Sequence, residues 1–369
     1  MKKMTARVLH LISNLGPGGA QVLLRQIARH LDRRRFETFI CPLRRVKEEI
    51  DVGAPLLRLD YRGYDPRKLS AIGRVCKEYK IDLIHAHLHK GVLAGLLVAP
   101  KLDIPVIIHE HGPAVRSGPQ YALYRFLLKR LWRRASAVIA ISRHIGSVLE
   151  TRIGIDPAAI CLLHNAVDFA PFENSPELRR CARRQLGFDD NDIVLGFAGR
   201  LAFVKGADIA IRTLKILSEK SSRYRLLVIG SGPLQKKLQR LADRLGLREK
   251  VRFASFCAEP AQLMAAADIA LVPSRQEPFG LVGLEWMRMK IPVVSSGTDG
   301  LGEYMHERQT ALIADSNLPD RIADCILELA DNRALCSALI EQAYRITENY
   351  HIAPYIEKLQ QLYDSLLGK

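Results

Sequence analysis

No apolar run in this chain of 369 residues is long enough to cross a bilayer. The most apolar stretch, Gly91 to Pro100, is about half the length a spanning helix needs. The start, Met-Lys-Lys-Met-Thr-Ala-Arg, is basic like a signal peptide, but Val8 to Ile12 is too short for the apolar region that would have to follow. Cysteine is scattered: the seven residues (Cys41, Cys76, Cys161, Cys181, Cys257, Cys325, Cys336) are odd in number and never stand as Cys-x-x-Cys. That argues against a disulfide framework or a thiolate zinc site, and for a reducing compartment. Low-complexity segments, internal repeats and the aromatic–basic interleaving of an RNA-binding sheet are also missing, which counts against nucleic acid as a partner. These absences leave a cytoplasmic globular protein.

The length suits two α/β domains, and a hydrophobic content of 48% with 25% charged residues supports proper cores in both. The net charge of +16 is unevenly spread: 28 Lys and Arg face 14 Asp and Glu through Asp168, and 27 face 25 after it. A basic first half and a near-neutral second half imply different partners, with an anionic acceptor or the anionic inner face of a membrane suiting the first.

Strands and helices alternate along the chain. Strands are expected at Arg7–Ile12, Phe36–Cys41, Ile81–Ala86, Pro105–His109 and Ala137–Ile141, with helices at Ala20–Leu31 and Pro66–Tyr79. Prolines 171 and 176, two arginine pairs and an acidic cluster at 189–192 mark the approach to a second domain. There strands are expected at Ile193–Ala198, Arg225–Ile229, Val251–Phe253, Ala270–Val272 and Val293–Val294, and helices at Ala207–Glu219 and Leu234–Leu245. Strands separated by helices imply parallel βαβ units and Rossmann-like layers. Tyr350 to Leu367 carries apolar residues at helical spacing.

Ser274-Arg-Gln-Glu277-Pro-Phe-Gly280-Leu-Val-Gly-Leu-Glu285 follows a short apolar run and turns helical after Gly280. Glu277 then sits in a loop at the mouth of a helix and Glu285 lies inside it. The amides of Phe279, Gly280 and Leu281 form a helix N-terminus, where a phosphate can rest. Acids beside an anion site make sense for gripping hydroxyls, one on a sugar and one on a ribose. The alternative is a solvated acidic loop before an ordinary helix. Gly199-Arg200-Leu-Ala-Phe-Val-Lys205-Gly206 follows the second domain's first strand; a planar Arg fork and a Lys point charge there suit a diphosphate leaving group. Gly16-Pro-Gly18-Gly19-Ala-Gln21 and Gly230-Ser-Gly232-Pro-Leu-Gln235 are tight strand-to-helix turns that fail the dinucleotide fingerprint at its third glycine, which disfavours NAD and FAD.

Two glutamates separated by seven residues, with Phe-Gly after the first, resemble the signature of the large group-1 family of retaining glycosyltransferases, family 4-like. The resemblance spans essentially the whole chain. It implies the GT-B fold: two Rossmann-like domains with a cleft between them and a C-terminal helix crossing back to the first. The domains would be 1–170 (with helix 350–369), binding the acceptor, and 171–349, binding the nucleotide sugar. It further implies that Arg200 and Lys205 contact the donor pyrophosphate, that Gly18 and Gly19 cover it, that Glu277 holds the transferred sugar and Glu285 the ribose. Residues Phe253 to Cys257 would flank the base, although Ser255 replaces the family's glycine; Trp286 replaces a small residue after the second glutamate. Asn165-Ala166-Val167-Asp168 would shape the hinge, and Gly300 to Glu303 a wall of the donor site.

Histidine is dense in the first half: His85-Ala-His87-Leu-His89 and His109-Glu-His111-Gly112. His85 and His87 share a strand face, and such density invites a metal reading. The resemblance instead implies no catalytic metal and no cofactor, and puts His111 near the donor sugar, with Glu110 as the alternative and His109 as a satisfied, partly buried residue. No side chain presents itself as a covalent nucleophile, so attack on the face the leaving phosphate departs from, with retention, is the expected route. The expected activity is transfer of a hexosyl-type sugar from a nucleoside-diphosphate sugar such as a UDP-sugar to a saccharide or lipid-linked, anionic acceptor. Cell-envelope polysaccharide, lipopolysaccharide and glycolipid assembly are the settings this implies. A nucleotide-sugar epimerase or phosphorylase on the same fold, or a non-catalytic binding subunit, are the alternatives. Finally, Tyr121 to Arg134 reads as a basic amphipathic helix, able to lie on anionic lipid or to pack on its own core.

Overall fold

The computed structural model describes residues 5–59, 65, 67–255, 259–315 and 317–368. Its strands are β1 (Ala6–Ile12), β2 (Phe36–Pro42), β3 (Leu83–His87), β4 (Val106–Glu110), β5 (Ala137–Ala140), β6 (Ile160–Leu162), β7 (Ile193–Ala198), β8 (Tyr224–Ile229), β9 (Val251–Ala254), β10 (Ile269–Val272), β11 (Val293–Ser295) and β12 (Leu312–Ile313). The helices through the middle of the chain are α1 (Gly19–His30), α2 (Arg67–Glu78), α3 (Leu88–Val98), α4 (Pro119–Leu131), α5 (Arg143–Val148), α6 (Pro176–Leu186), α7 (Ala207–Lys220) and α8 (Gln235–Arg244). Those that follow are α9 (Ala261–Met264), α10 (Leu281–Arg288), α11 (Pro319–Asp331), α12 (Arg333–Thr347) and α13 (Ile352–Leu366). None of the described helices is long and apolar enough to cross a membrane.

The chain divides into two compact units, Met1–Ala166 with Ile352–Lys369, and Val167–His351. Each is built on a six-stranded parallel sheet, in the orders β2-β1-β3-β4-β5-β6 and β12-β11-β10-β7-β8-β9. This is the expected α/β architecture of two Rossmann-like layers. Strand β6 and the two-residue β12 carry too few apolar residues to announce themselves by pattern.

In the first unit, one sheet face packs Val8, Leu83, Ile107 and Ile139 against α1 and α13 through Leu23, Ile27, Ile356 and Leu359. The C-terminal helix therefore completes this unit's core, as the resemblance implies. In the second unit the core runs from Leu195 and Leu226 to Ile211, Leu214 and Ile326. The stretch at 171–192, read from its charges as an approach to the second domain, holds a helix. Ser175 Oγ accepts from Leu178 N at 3.1 Å, Pro176 opens α6, and Gly187 closes it in the left-handed region. Its arginines are structural: Arg179 and Arg183 both bond Asp268 at the foot of β10, and Arg183 is buried.

Helix α4 forms where the basic amphipathic segment was expected. Tyr124 and Leu128 face the core, whereas Leu123 and Phe126 remain 58% and 53% exposed among Lys129, Arg130, Arg133 and Arg134. The Arg130 guanidinium lies 3.6 Å over the Phe126 ring.

Candidate active site

In the second unit the strand order reverses at β7, which has β10 on one side and β8 on the other. Open parallel sheets bind ligands outside the carboxyl ends of strands at such a point. The loops leaving β7 and β10 are those carrying Arg200, Lys205 and Glu277. After β7 the chain turns through a short helical turn, Phe203–Lys205, and Gly206 opens α7 with φ 73°. A Cβ at Gly206 would overlap the carbonyl of Pro273, so only glycine lets the β7 loop press onto the β10 loop. Arg275 then ties the two together: its guanidinium meets Asp208 at 2.9 and 2.8 Å and Phe203 O at 2.8 Å, and its amide donates to Val204 O at 2.8 Å.

The result is convergence on Glu277, which is 4% exposed. Lys205 Nζ donates to Glu277 Oε2, and Ser274 Oγ donates to the same oxygen at 3.3 Å. Its amide donates to Asp299 Oδ2 at 3.0 Å, and its carbonyl accepts from Gly300 N at 2.9 Å. Three loops, after β7, β10 and β11, thus hold one buried carboxylate beside one half-buried ammonium. Gly280 takes φ 91° and its carbonyl accepts from the Tyr304 hydroxyl. Burial pushes the Tyr304 hydroxyl well above the usual tyrosine range, with Glu277, Tyr350 and Glu285 adding to it, so it remains a donor. Phe279 is buried against the rings of Tyr304 and Tyr350. Leu281 is the first residue of α10, and the amides of Gly280 and Leu281 donate to no described residue. Glu285 is half-buried within α10, and Arg200 is exposed. Trp286, the large residue in place of a small one, is wholly buried against Gly196 of β7. The expected base-flanking segment reaches residues 256–258, which lie outside the described residues.

The first unit carries Gly18, Gly19 and His111. Gly18 and Gly19 open α1 after β1, again where the strand order reverses, between β1 and β3. Asn14 Oδ1 accepts from Gly16 N at 2.9 Å, and Gln21 Nε2 donates to Asn14 O at 3.1 Å. The glutamine that spoils the dinucleotide fingerprint is thus a brace for the turn.

Side chains two apart on a strand share a face. His10 on β1, His85 and His87 on β3, and His109 with His111 on and just past β4 therefore form one buried group. Two hydrogen-bonded rows result. His10 Nδ1 meets His87 Nε2 at 2.9 Å and His87 Nδ1 meets His111 Nε2 at 3.0 Å; Tyr363 OH meets His85 Nδ1 at 2.6 Å and His85 Nε2 meets His109 Nδ1 at 3.1 Å. The rings stack, with centroids 4.0 Å apart for His109 and His111. Burial holds His10 and His111 at about 3 and pushes His85, His87 and His109 well below the usual imidazole range, so all five are neutral near pH 7. Three buried nitrogens, His10 Nε2, His109 Nε2 and His111 Nδ1, have no partner among the described residues. His109 is therefore neither partly buried nor satisfied, because its strand position puts it at the centre of the group. His111, 8% exposed, is the least buried of the five. Two triads could hold a metal, His10–His85–His87 and His87–His109–His111, each offering three nitrogens within 4.8 Å of one another. Glu110, the alternative to His111, is committed to its own loop: it accepts from Gly112 N at 2.8 Å, Ala114 N at 3.2 Å and Tyr124 OH at 2.6 Å.

Sequence reasoning assigned no role to Arg275, Asp208, Asp299, Tyr304 or His10. The first two had a usable signal, since Arg275 adjoins Ser274 in the paired-glutamate stretch and Asp208 follows Lys205-Gly206. His10 had one in its register opposite His85.

Residues 179–346 match the family described as glycosyl transferases group 1, and residues 17–170 match glycosyltransferase family 4. A D-inositol 3-phosphate glycosyltransferase of Catenulispora acidiphila is 29% identical over 305 residues, 78% of this chain and 72% of that protein. Among solved structures, Anabaena Alr3699/HepE in complex with UDP-glucose is similar with a TM-score of 0.85 and 22% identity, over 97% of this chain and 99% of that one. Sucrose-phosphate synthase from Thermosynechococcus elongatus is similar with a TM-score of 0.85 and 18% identity, over 98% and 99%. These likenesses give the fold as GT-B.

Proposed function

Because the chain belongs to the group-1 glycosyltransferases, with a first unit of the family-4 kind, we propose that it moves a sugar from a nucleoside-diphosphate sugar to an anionic saccharide or lipid-linked acceptor with retention. The observation that carries this reading is the Lys205–Glu277 pair, braced by three loops at the reversal of the second sheet. Without donor, the ammonium and carboxylate neutralise one another. With donor, Lys205 and Arg200 take the diphosphate, whose charge grows as the glycosidic bond breaks, and Glu277 is released to hold sugar hydroxyls. Glu285 holds the ribose, and the amides after Phe279 receive the phosphate end. Fixed cations do this work in place of a metal ion. Gly18, Gly19 and His111 carry the first unit's part, His111 as a hydrogen-bonding group to the sugar.

The donor class is supported by the UDP-glucose held by the HepE neighbour. The acceptor class is supported by the charge of the first half and by the phosphorylated inositol in the relative's name. Envelope polysaccharide, lipopolysaccharide or glycolipid assembly would supply such acceptors at a membrane, and the exposed Leu123 and Phe126 of α4, ringed by cations, suit peripheral contact with anionic lipid. The test is calorimetric binding of UDP, GDP, ADP and NAD to wild type and Lys205→Ala. Tight binding of one nucleoside diphosphate, with UDP expected, weakened at least about tenfold by the substitution, supports the reading. Binding of NAD alone, or of none, overturns it.

A further inference from the structure

Five neutral imidazoles buried side by side need a reason. Each unpartnered buried nitrogen costs stability, and this group contains three. Neutral imidazole is also the form that binds a transition metal. We propose that His87, His109 and His111 bind one divalent transition-metal ion of the zinc, cobalt, nickel or copper kind.

The hydrogen bonds around the triad allow the directions such a site requires. Metal-bound histidine gives its second nitrogen's proton to a neighbouring acceptor, which fixes the ring. With His87 bound through Nδ1, its Nε2–H donates to His10 Nδ1 at 2.9 Å. With His109 bound through Nε2, its Nδ1–H donates to His85 Nε2 at 3.1 Å, and His85 passes the same sense on to the Tyr363 hydroxyl at 2.6 Å. His10 and His85, which stand outside this triad, thereby become the supports of its members His87 and His109. His111 binds through Nε2, which already stands 3.0 Å from His87 Nδ1. Ligand nitrogens at about 2.0–2.1 Å from a tetrahedral ion stand about 3.3 Å apart, so this edge of the site is nearly in place. One nitrogen from each of the three rings lies within 4.8 Å of the other two.

No carboxylate belongs to the triad, so three neutral ligands leave the ion its charge. Imidazole donors favour the later first-row metals over magnesium or calcium. His111, the least buried member, marks the side on which a water or anion would complete the shell. The ion ties the carboxyl ends of β3 and β4 together, a structural role that neither needs nor excludes the transfer proposed above. Binding at His111 Nε2 puts that ring's proton on Nδ1.

The experiment uses the full chain without a polyhistidine tag. Chelator-treated wild type is titrated with Zn²⁺ and Co²⁺ by calorimetry and visible absorption, and the zinc-loaded protein is examined by X-ray absorption. One equivalent bound, the intense visible bands of tetrahedral Co²⁺, and three imidazoles at about 2.0–2.1 Å are expected. His109→Phe and His87→Phe should abolish binding, and His85→Phe should weaken it about 10- to 100-fold. Exposed His306→Ala should leave it unchanged. No stoichiometric binding to wild type, or binding indifferent to His109→Phe, overturns the site and leaves a purely hydrogen-bonded imidazole group. The wild-type titration decides even where a core variant does not fold. UDP binding measured on the same chelated sample keeps the two readings apart, since its survival with no metal bound would sink only this one.

Discussion

The two units bury polar groups on the same kind of parallel sheet in opposite ways. In the first, five uncharged imidazoles line one sheet face and bond each other in rows, with three of their nitrogens lacking a partner among the described residues. In the second, a carboxylate and an ammonium face each other at the strand ends, steadied by Arg275, Asp208 and Asp299. A neutral buried group needs only hydrogen bonds, but it must never take up a proton. A buried charge needs a partner at contact distance, and the partner can be exchanged for a ligand of the same sign. The first solution makes a framework sensitive to acid; the second would make the proposed donor site one that is assembled before its substrate arrives.

The largest effect that would sharpen this contrast is at Lys205. Its replacement by alanine should lower kcat/KM about 10²- to 10³-fold, as for loss of one donor to a developing anion. The removal also strands Glu277, so Lys205→Met with Glu277→Gln should recover the melting temperature without the activity, read by calorimetry beside a product assay. Recovery of turnover in the double variant would mean the pair is only structural.

Acid should separate the units next. An imidazole whose folded pKa lies below its unfolded 6.5 leaves stability untouched above that pH. As pH falls from 6.5 towards 3 the unfolded chain gains a proton the folded one refuses, at about 1.4 kcal/mol per pH unit for each histidine. Glu110, raised by burial, works in the other direction. Hydrogen exchange at pH 7 and pH 5 should show β3 and β4 losing protection before β7 and β10. Equal loss in both units would break the comparison. Metal bound at the triad would steepen the acid dependence by leaving as the ligands protonate.

Smaller again is Arg275→Ala, which unties the β7 and β10 loops without touching Glu277. We expect about a tenfold fall in kcat, with little restored by Arg275→Lys because a point charge cannot span both oxygens of Asp208. Unchanged kcat would show that the loops hold their places without it. Smallest in stability is Leu123→Ser with Phe126→Ser on α4, expected within about 0.5 kcal/mol of wild type per substitution. Sedimentation with phosphatidylglycerol vesicles should nonetheless drop markedly, and an undiminished bound fraction would remove lipid from the partners of the first unit.

Much of this arrangement could be read from residue order alone, because period-two apolar runs and glycine turns are local. The strands of both sheets except β6 and β12 announced themselves, and Glu277, Lys205 and Gly280 stood in a recognisable frame. What could not be read was register. That His10 lies opposite His85, or that Arg275 reaches back to Asp208, depends on which strands become neighbours and not on spacing along the chain. His109 was misjudged for the same reason: its partners sit on β3, 24 residues away. Arg183, read from the sequence only as part of the approach to the second domain, is a buried clamp on Asp268, and the acid that claims it is 85 residues distant.

The last helix carries a consequence for how the molecule is made. The second unit is continuous in sequence, Val167–His351, whereas the first is closed by α13, whose Tyr363 caps His85 and whose Asp32 and Arg35 partners, Gln360 and Asp364, come from the chain's final turns. On the ribosome, the first unit must wait for residues made after the whole of the second. Until they emerge, the imidazole face stands open to water, and the second unit can finish folding ahead of the one that precedes it.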